Sequence, residues 1–144
     1  GCIFTKGAFV KEIPYDPNYY FYGEELSLAM RAFTNGYSFF HIPDVPLFHL
    51  YTDTSDIPRK LHWDPEDDQK RAVKWTELDK KSLNRLDDLF ADKVEEPLSL
   101  GKERSLEDYA LISGMDLKNN LVLDIEKATE SSFLESLDWK INPL

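Results

Sequence analysis

Thirteen of the 19 aromatic side chains in this 144-residue chain fall within residues 1–51. That segment carries only 3 basic and 5 acidic residues, against 14 basic and 22 acidic in residues 52–144. Rings at such density, with so little charge between them, have to be buried or to line a binding surface. The first third therefore reads as core and site, and the remainder as solvated helices. A hydrophobic fraction of 42% is too rich for a disordered acidic tail. The formal net charge of −10 removes any electrostatic reason to coat nucleic acid or an anionic membrane. The length suits one domain burying roughly 68–70% of its unfolded surface. Cys2, the single cysteine, cannot close an internal disulfide. No apolar run approaches a membrane span, and the opening residues do not read as a signal peptide. The expectation is a soluble, acidic, globular chain.

Local patterning gives a coarse map. Cys2 to Thr5 reads as a strand end, followed by a Lys6-Gly7 turn; Ala8 to Ile13 fits either a short helix or an extended piece. Pro14 and Pro17 force an extended approach around Tyr15-Asp16. A helix should follow Gly23, with Glu24 and Glu25 in its first turn where the macrodipole favours acids. Leu26, Ala29 or Met30, and Phe33 recur at helical spacing, and Asn35-Gly36 is the stop. Tyr37 to Ile42 and Pro46 to Thr52 read as strands, His49 sharing a face with Leu47 and Tyr51. Asp64-Pro65-Glu66-Asp67-Asp68 is a helix start. From there Ala72, Trp75, Leu78 or Asp79, Leu83, Leu86, Leu89 and Phe90 form an apolar stripe to about residue 92. Thr76 with Asp79 could restart that helix as a capping box, and Ser105 with Asp108 opens a shorter one that Gly114 ends. Leu121 to Leu123 is a short strand and Ile125 to Leu137 a last amphipathic helix. The fold class expected is α/β, with a few-stranded sheet and a mostly helical C-terminal half.

The chemistry-bearing string is Tyr20-Phe21-Tyr22-Gly23-Glu24-Glu25. Two adjacent carboxylates open a helix behind a glycine that admits close backbone approach, and aromatic faces suit sugar rings or nucleobases. Taken alone, Glu24 and Glu25 read more readily as ordinary first-turn acids. His49, between Phe48 and Leu50, is a metal-ligand candidate, although a strand histidine is more often a hydrogen-bonded core residue. His41 shares that ambiguity, and His62 beside Trp63 looks like a packing residue. The sequence has no His-Glu-x-x-His, cysteine pair, Walker loop or Gly-x-Ser-x-Gly elbow. Local spacing alone leaves the site incomplete.

Five strings in order complete it by resemblance: Phe-Thr-Lys-Gly from Phe4, Pro-Tyr-Asp-Pro from Pro14, Phe-Tyr-Gly-Glu-Glu from Phe21, Met-Arg-Ala-Phe-Thr-Asn-Gly-Tyr from Met30, and Pro-Leu-Phe-His-Leu-Tyr from Pro46. Together they resemble the C-terminal part of the catalytic domain of GlcNAc-type glycosyltransferases that modify protein hydroxyl groups. That family includes the cytosolic hydroxyproline-modifying enzyme. The order is also similar to the Gly-Glu-Asn and Gly-His-Val-Phe segments of polypeptide N-acetylgalactosaminyltransferases. Gly101 to Gly114 looks like the tail of bacterial members. The resemblance implies a GT-A fold, a nucleotide-diphosphate sugar donor, a hydroxyl acceptor, a divalent cation (usually Mn2+), retention of configuration and a cytoplasmic location. It implies that Glu24 and Glu25 are catalytic, that Tyr22, Gly23 and Glu24 bind substrate, and that His49 is a metal ligand.

One departure stands out. The Asp-x-Asp element and the nucleotide-binding units of such enzymes precede everything present, and Asp53-Thr54-Ser55-Asp56 has neither the spacing nor the order to replace them. The chain is therefore expected to be a truncated catalytic domain, inactive alone. Residues 1–63 would be its C-terminal part and 64–144 a helical extension packed on it. Surfaces exposed by truncation should drive homo-oligomer formation. The alternative is a non-catalytic module that binds carbohydrate or protein.

Overall fold

A computed structural model describes residues 3–40 and 61–129. Six helices and one hairpin follow in order: α1 (Phe9–Glu12), α2 (Glu24–Thr34), α3 (Pro65–Asp68), α4 (Trp75–Phe90), α5 (Leu106–Ser113), β1 (Met115–Asp116), β2 (Leu121–Val122) and α6 (Ile125–Thr129). The fold is mixed helix and strand. Among the described residues its sheet is the antiparallel pair β1-β2, in the register Met115↔Val122 and Asp116↔Leu121.

Helix α2 organises the core because both of its apolar faces are used. Met30, flanked by Leu26 and Ala29, packs with Leu89, Phe90 and Val94, joined by Leu106 and Tyr109 of α5. Ala32 and Leu28 pack instead against Phe9, Ile13 and Tyr37, which settles Ala8 to Ile13 as helical. The stop at Asn35-Gly36 forms, with Gly36 at φ +88°.

Polar stitches then tie the irregular segment before α2 onto α4. The Arg85 Nε–H donates to Asp16 Oδ2 at 2.9 Å, and Asn18 donates to Asp16 Oδ1 through its backbone N–H at 3.0 Å and its side-chain amide at 2.7 Å. The Tyr20 N–H donates to Ser82 Oγ at 2.6 Å, while the Ser82 hydroxyl faces the Tyr20 carbonyl at 3.1 Å and the Leu78 carbonyl at 3.2 Å. Arg31, 1% exposed, donates from Nη1 to the Pro14 carbonyl at 2.7 Å and from Nη2 to the Pro97 carbonyl at 2.8 Å. At the other end of α2, the Thr34 hydroxyl accepts the Gly101 N–H at 2.7 Å, and the Thr34 carbonyl accepts from Glu103 at 2.9 Å and Arg104 at 3.2 Å.

Several expectations are corrected. Residues 3–5 and 37–40 are irregular, not strands. The Tyr37 backbone is otherwise committed: its N–H donates to the Ala32 carbonyl and its carbonyl accepts from Arg104, so no ladder can use them. Helix α3 lasts four residues, because Asp68 Oδ1 accepts the Trp75 N–H at 2.8 Å and restarts the chain as α4. Lys74 is the N-cap of α4, so Thr76 and Asp79 lie inside the helix and form no capping box. Leu83 leaves the apolar stripe at 48% exposure, and Ser82 takes the fully buried position because it must reach the Tyr20 backbone. The Ser105–Asp108 capping box and the Gly114 stop both form. The Pro46 to Thr52 strand and most of the last amphipathic helix lie outside the described residues.

Two stability predictions follow from these stitches. A Cβ on Gly101 would lie 2.5 Å from the Thr34 backbone, which has no side-chain freedom to yield. Gly101→Ala should lose about 1–3 kcal/mol, read as a lower denaturant midpoint at unchanged slope; an unaltered midpoint contradicts that packing. Burial by itself pushes the Asp16 carboxyl up, but the donors from Asn18 and Arg85 outweigh it and hold the group below the usual carboxylate range. A folded pKa below the unfolded one means a contribution present above about pH 4 and lost as pH falls through the folded value. Asp16→Asn should therefore flatten the acid limb of the stability–pH profile, and identical acid limbs for the two proteins would refute the pairing.

Candidate functional site

Gly23 is the pivot of the site. It caps α2 at φ +83°, a left-handed conformation that glycine adopts without Cβ strain. The Tyr19 ring fills the space a Cβ would take, with Cε1 at 3.2 Å and Cδ1 at 3.3 Å. The chain thus turns sharply between the aromatic run Tyr20-Phe21-Tyr22 and the carboxylates Glu24 and Glu25. Phe21 enters the turn at φ +58°.

That reversal divides the sequence-expected residues between two cavities. Glu24 and Glu25 line a cleft of about 500 Å³ whose remaining surface is mostly apolar, shared with Phe9, Leu28, Ala32, Tyr15 and Tyr37. The Tyr37 hydroxyl donates to Glu12; burial first, and the Glu12 carboxylate second, push that phenol up to about 12. It is a proton donor across the ordinary pH range.

Tyr22 faces the other side. With Tyr20 and Phe21 it lines a cavity of about 270 Å³, closed by His62, Trp63, Trp75 and Asp79. The rings are mutually edge-on or tilted: Phe21–Tyr22 centroids lie 5.2 Å apart, Phe21–Trp63 5.0 Å and His62–Trp63 4.3 Å. Tyr20 Oη and His62 Nδ1 share a hydrogen bond, and Arg71 Nη1 lies 3.5 Å from the same hydroxyl. His62, read from sequence as a loop or packing residue, and its neighbour Trp63 are therefore cavity residues. Trp75 and Asp79 were missed as site residues altogether. Their i, i+4 spacing on one helical face was the available signal.

His49 and His41 lie outside the described residues, as do Asp53 and Asp56. Among the described residues no group of three or more His, Cys, Asp or Glu side chains gathers as a metal site would require. The described residues thus do not assemble a metal centre by themselves. No described helix is long and apolar enough to cross a membrane.

Comparison with known families decides the broader question: residues 1–119 match the model of the glycosyltransferase (GlcNAc) family. The chain belongs to that family. The match takes in both cavities, α4, α5 and β1, so membership rests on more than the Gly-Glu-Glu string and its neighbours. No curated protein and no solved structure matches the chain.

Gly23 yields the test of this geometry. Gly23→Ala forces a left-handed residue with a side chain against Tyr19, and should cost about 1–2 kcal/mol in stability. Thermal melts of the two proteins check it, and a variant as stable as the parent would show that the turn is not as described.

Proposed function

We propose that this chain is the C-terminal part of the GT-A catalytic domain of a metal-dependent glycosyltransferase. The enzyme moves N-acetylglucosamine from a nucleoside-diphosphate donor to a hydroxyl acceptor. The observation that carries the reading is the family match over residues 1–119 combined with two adjacent carboxylates on the wall of an apolar cleft. In such a cleft Glu24 accepts hydrogen bonds from sugar hydroxyls and fixes the anomeric carbon against the acceptor oxygen. Glu25, one position on, adds negative charge beside a developing oxocarbenium-like centre. Gly23 sets the turn that brings both carboxylates to this cleft, while Tyr22 lines the neighbouring aromatic cavity.

A divalent cation, Mn2+ by preference, belongs to the same reading, with His49 among its ligands. When bound it would offset charge on the departing diphosphate. A supply of carboxylate ligands from an Asp-x-Asp element is part of the proposal, and without one this chain is inactive on its own. Self-association is proposed as well, since Ile3, which lines the cleft, and its neighbour Phe4 are 62% and 97% exposed and leave apolar surface open.

The experiment measures transfer from nucleoside-diphosphate N-acetylglucosamine donors by the protein that carries this chain together with its Asp-x-Asp element. Glu24→Gln should lower kcat by about 10²-fold or more, because it removes a charged acceptor while conserving shape. His49→Ala should abolish the response to Mn2+. Full transfer by both variants would sink the assignment.

A further inference from the structure

We propose that the aromatic cavity beside Gly23 is a saccharide-binding site in its own right, separate from the cleft of Glu24 and Glu25. Four features point there. Tyr20, Phe21, Tyr22, Trp63 and Trp75 bring five aromatic rings to one cavity of about 270 Å³, smaller than the usual drug-sized pocket and suited to a single ring. Two of those rings remain open to solvent although burial would stabilise them, Phe21 at 51% exposure and Tyr22 at 57%. Phe21 is also held at φ +58°, a conformation that a bulky residue adopts only when its surroundings impose it. Finally, Asp79 stands on the cavity wall with its Oδ1 withdrawn from solvent and without a hydrogen-bond donor. Buried acceptors ordinarily have partners.

A pyranose meets all four conditions. Its C–H face covers the open rings, and its hydroxyls donate to the Asp79 carboxylate, whose loosely restricted terminal torsion can turn either oxygen toward them. An organic cation also suits an aromatic box, but it fits this one less well. A quaternary ammonium has no hydrogen to give Asp79, and the Arg71 guanidinium at 3.5 Å from the Tyr20 hydroxyl sets positive charge at the rim. Saccharide recognition at this site does not depend on the transfer reaction, and it requires neither nucleotide nor metal.

The test titrates the 144-residue chain with methyl glycosides of N-acetylglucosamine, galactose, mannose and fucose, without nucleotide or metal. Tryptophan fluorescence reports the cavity directly, since Trp63 and Trp75 both line it, and saturation-transfer NMR reports the bound sugar. At least one glycoside should bind saturably in the millimolar range. Asp79→Asn and Trp75→Ala should each weaken it by about tenfold or more, while Lys118→Ala, exposed in the β1–β2 turn and lining neither cavity, should leave it unchanged. Asp79→Asn conserves shape, and a thermal melt of the variant beside the parent separates lost binding from lost fold. The exposed Phe21→Ala serves if Trp75→Ala does not fold. Absence of binding by every glycoside, binding indifferent to Asp79→Asn and Phe21→Ala, or preferential binding of tetramethylammonium would each overturn the assignment. Since the titration uses no donor, its failure is distinct from a failure of the transferase reading.

Discussion

The buried guanidinium of Arg31 is the constraint around which the described fold closes. It sits on α2, the helix that also carries Glu24 and Glu25, and reaches in opposite sequence directions to the carbonyls of Pro14 and Pro97. Both acceptors belong to prolines in irregular chain, where a carbonyl is not already committed to a helical ladder. Burial depresses the guanidinium's pKa, and the nearby Asp16 carboxylate offsets part of that effect. Arginine suits the position because its planar fork holds several donors in fixed directions, so one side chain can bridge two separate loops. A lysine ammonium, a single point charge on a flexible stem, would not impose the same geometry on both.

From that centre the two cavities are built by segments far apart in sequence. The segment before Gly23 has little regular structure of its own, and α4 supplies its partners through Ser82 and Arg85. In this way α4 packs on the helix that carries the two carboxylates and contributes Trp75 and Asp79 to the aromatic cavity. The acidic, helical part of the chain therefore lines the aromatic cavity as well as covering the core. Membership of the glycosyltransferase family through residue 119 accords with that interdependence.

What could be read in advance divides along physical lines. Helix α2 was visible because three independent signals agree: first-turn acids, helical spacing of Leu26, Met30 and Phe33, and the Asn35-Gly36 stop. The Ser105–Asp108 box was visible for the same reason, being wholly local. Tyr37 to Phe40 misled because alternation and aromatic content describe what a strand needs on its faces, not whether a neighbour exists to pair with its backbone. Ser82 misled in the opposite sense: a hydroxyl in an apolar stripe looks like a break, yet it is buried to serve a backbone sixty-two positions away. Glu24, Glu25 and Tyr22 were all noticed as site-like residues. Their division between two cavities was hidden because it depends on the positive φ of Gly23 and on the ring of Tyr19.

The span of these stitches has a consequence for how the molecule is made. Tyr20 waits for Ser82, 62 residues later, and Asp16 waits for Arg85, 69 residues later. At ordinary rates of chain synthesis that interval is roughly 3–14 s. Once the aromatic run has left the ribosome, its partner helix is still incomplete. Non-local closures of this kind slow folding and leave apolar surface open in the meantime. The density of rings that packs the first third of the chain against later segments also makes it the part most in need of shelter while the protein is being born.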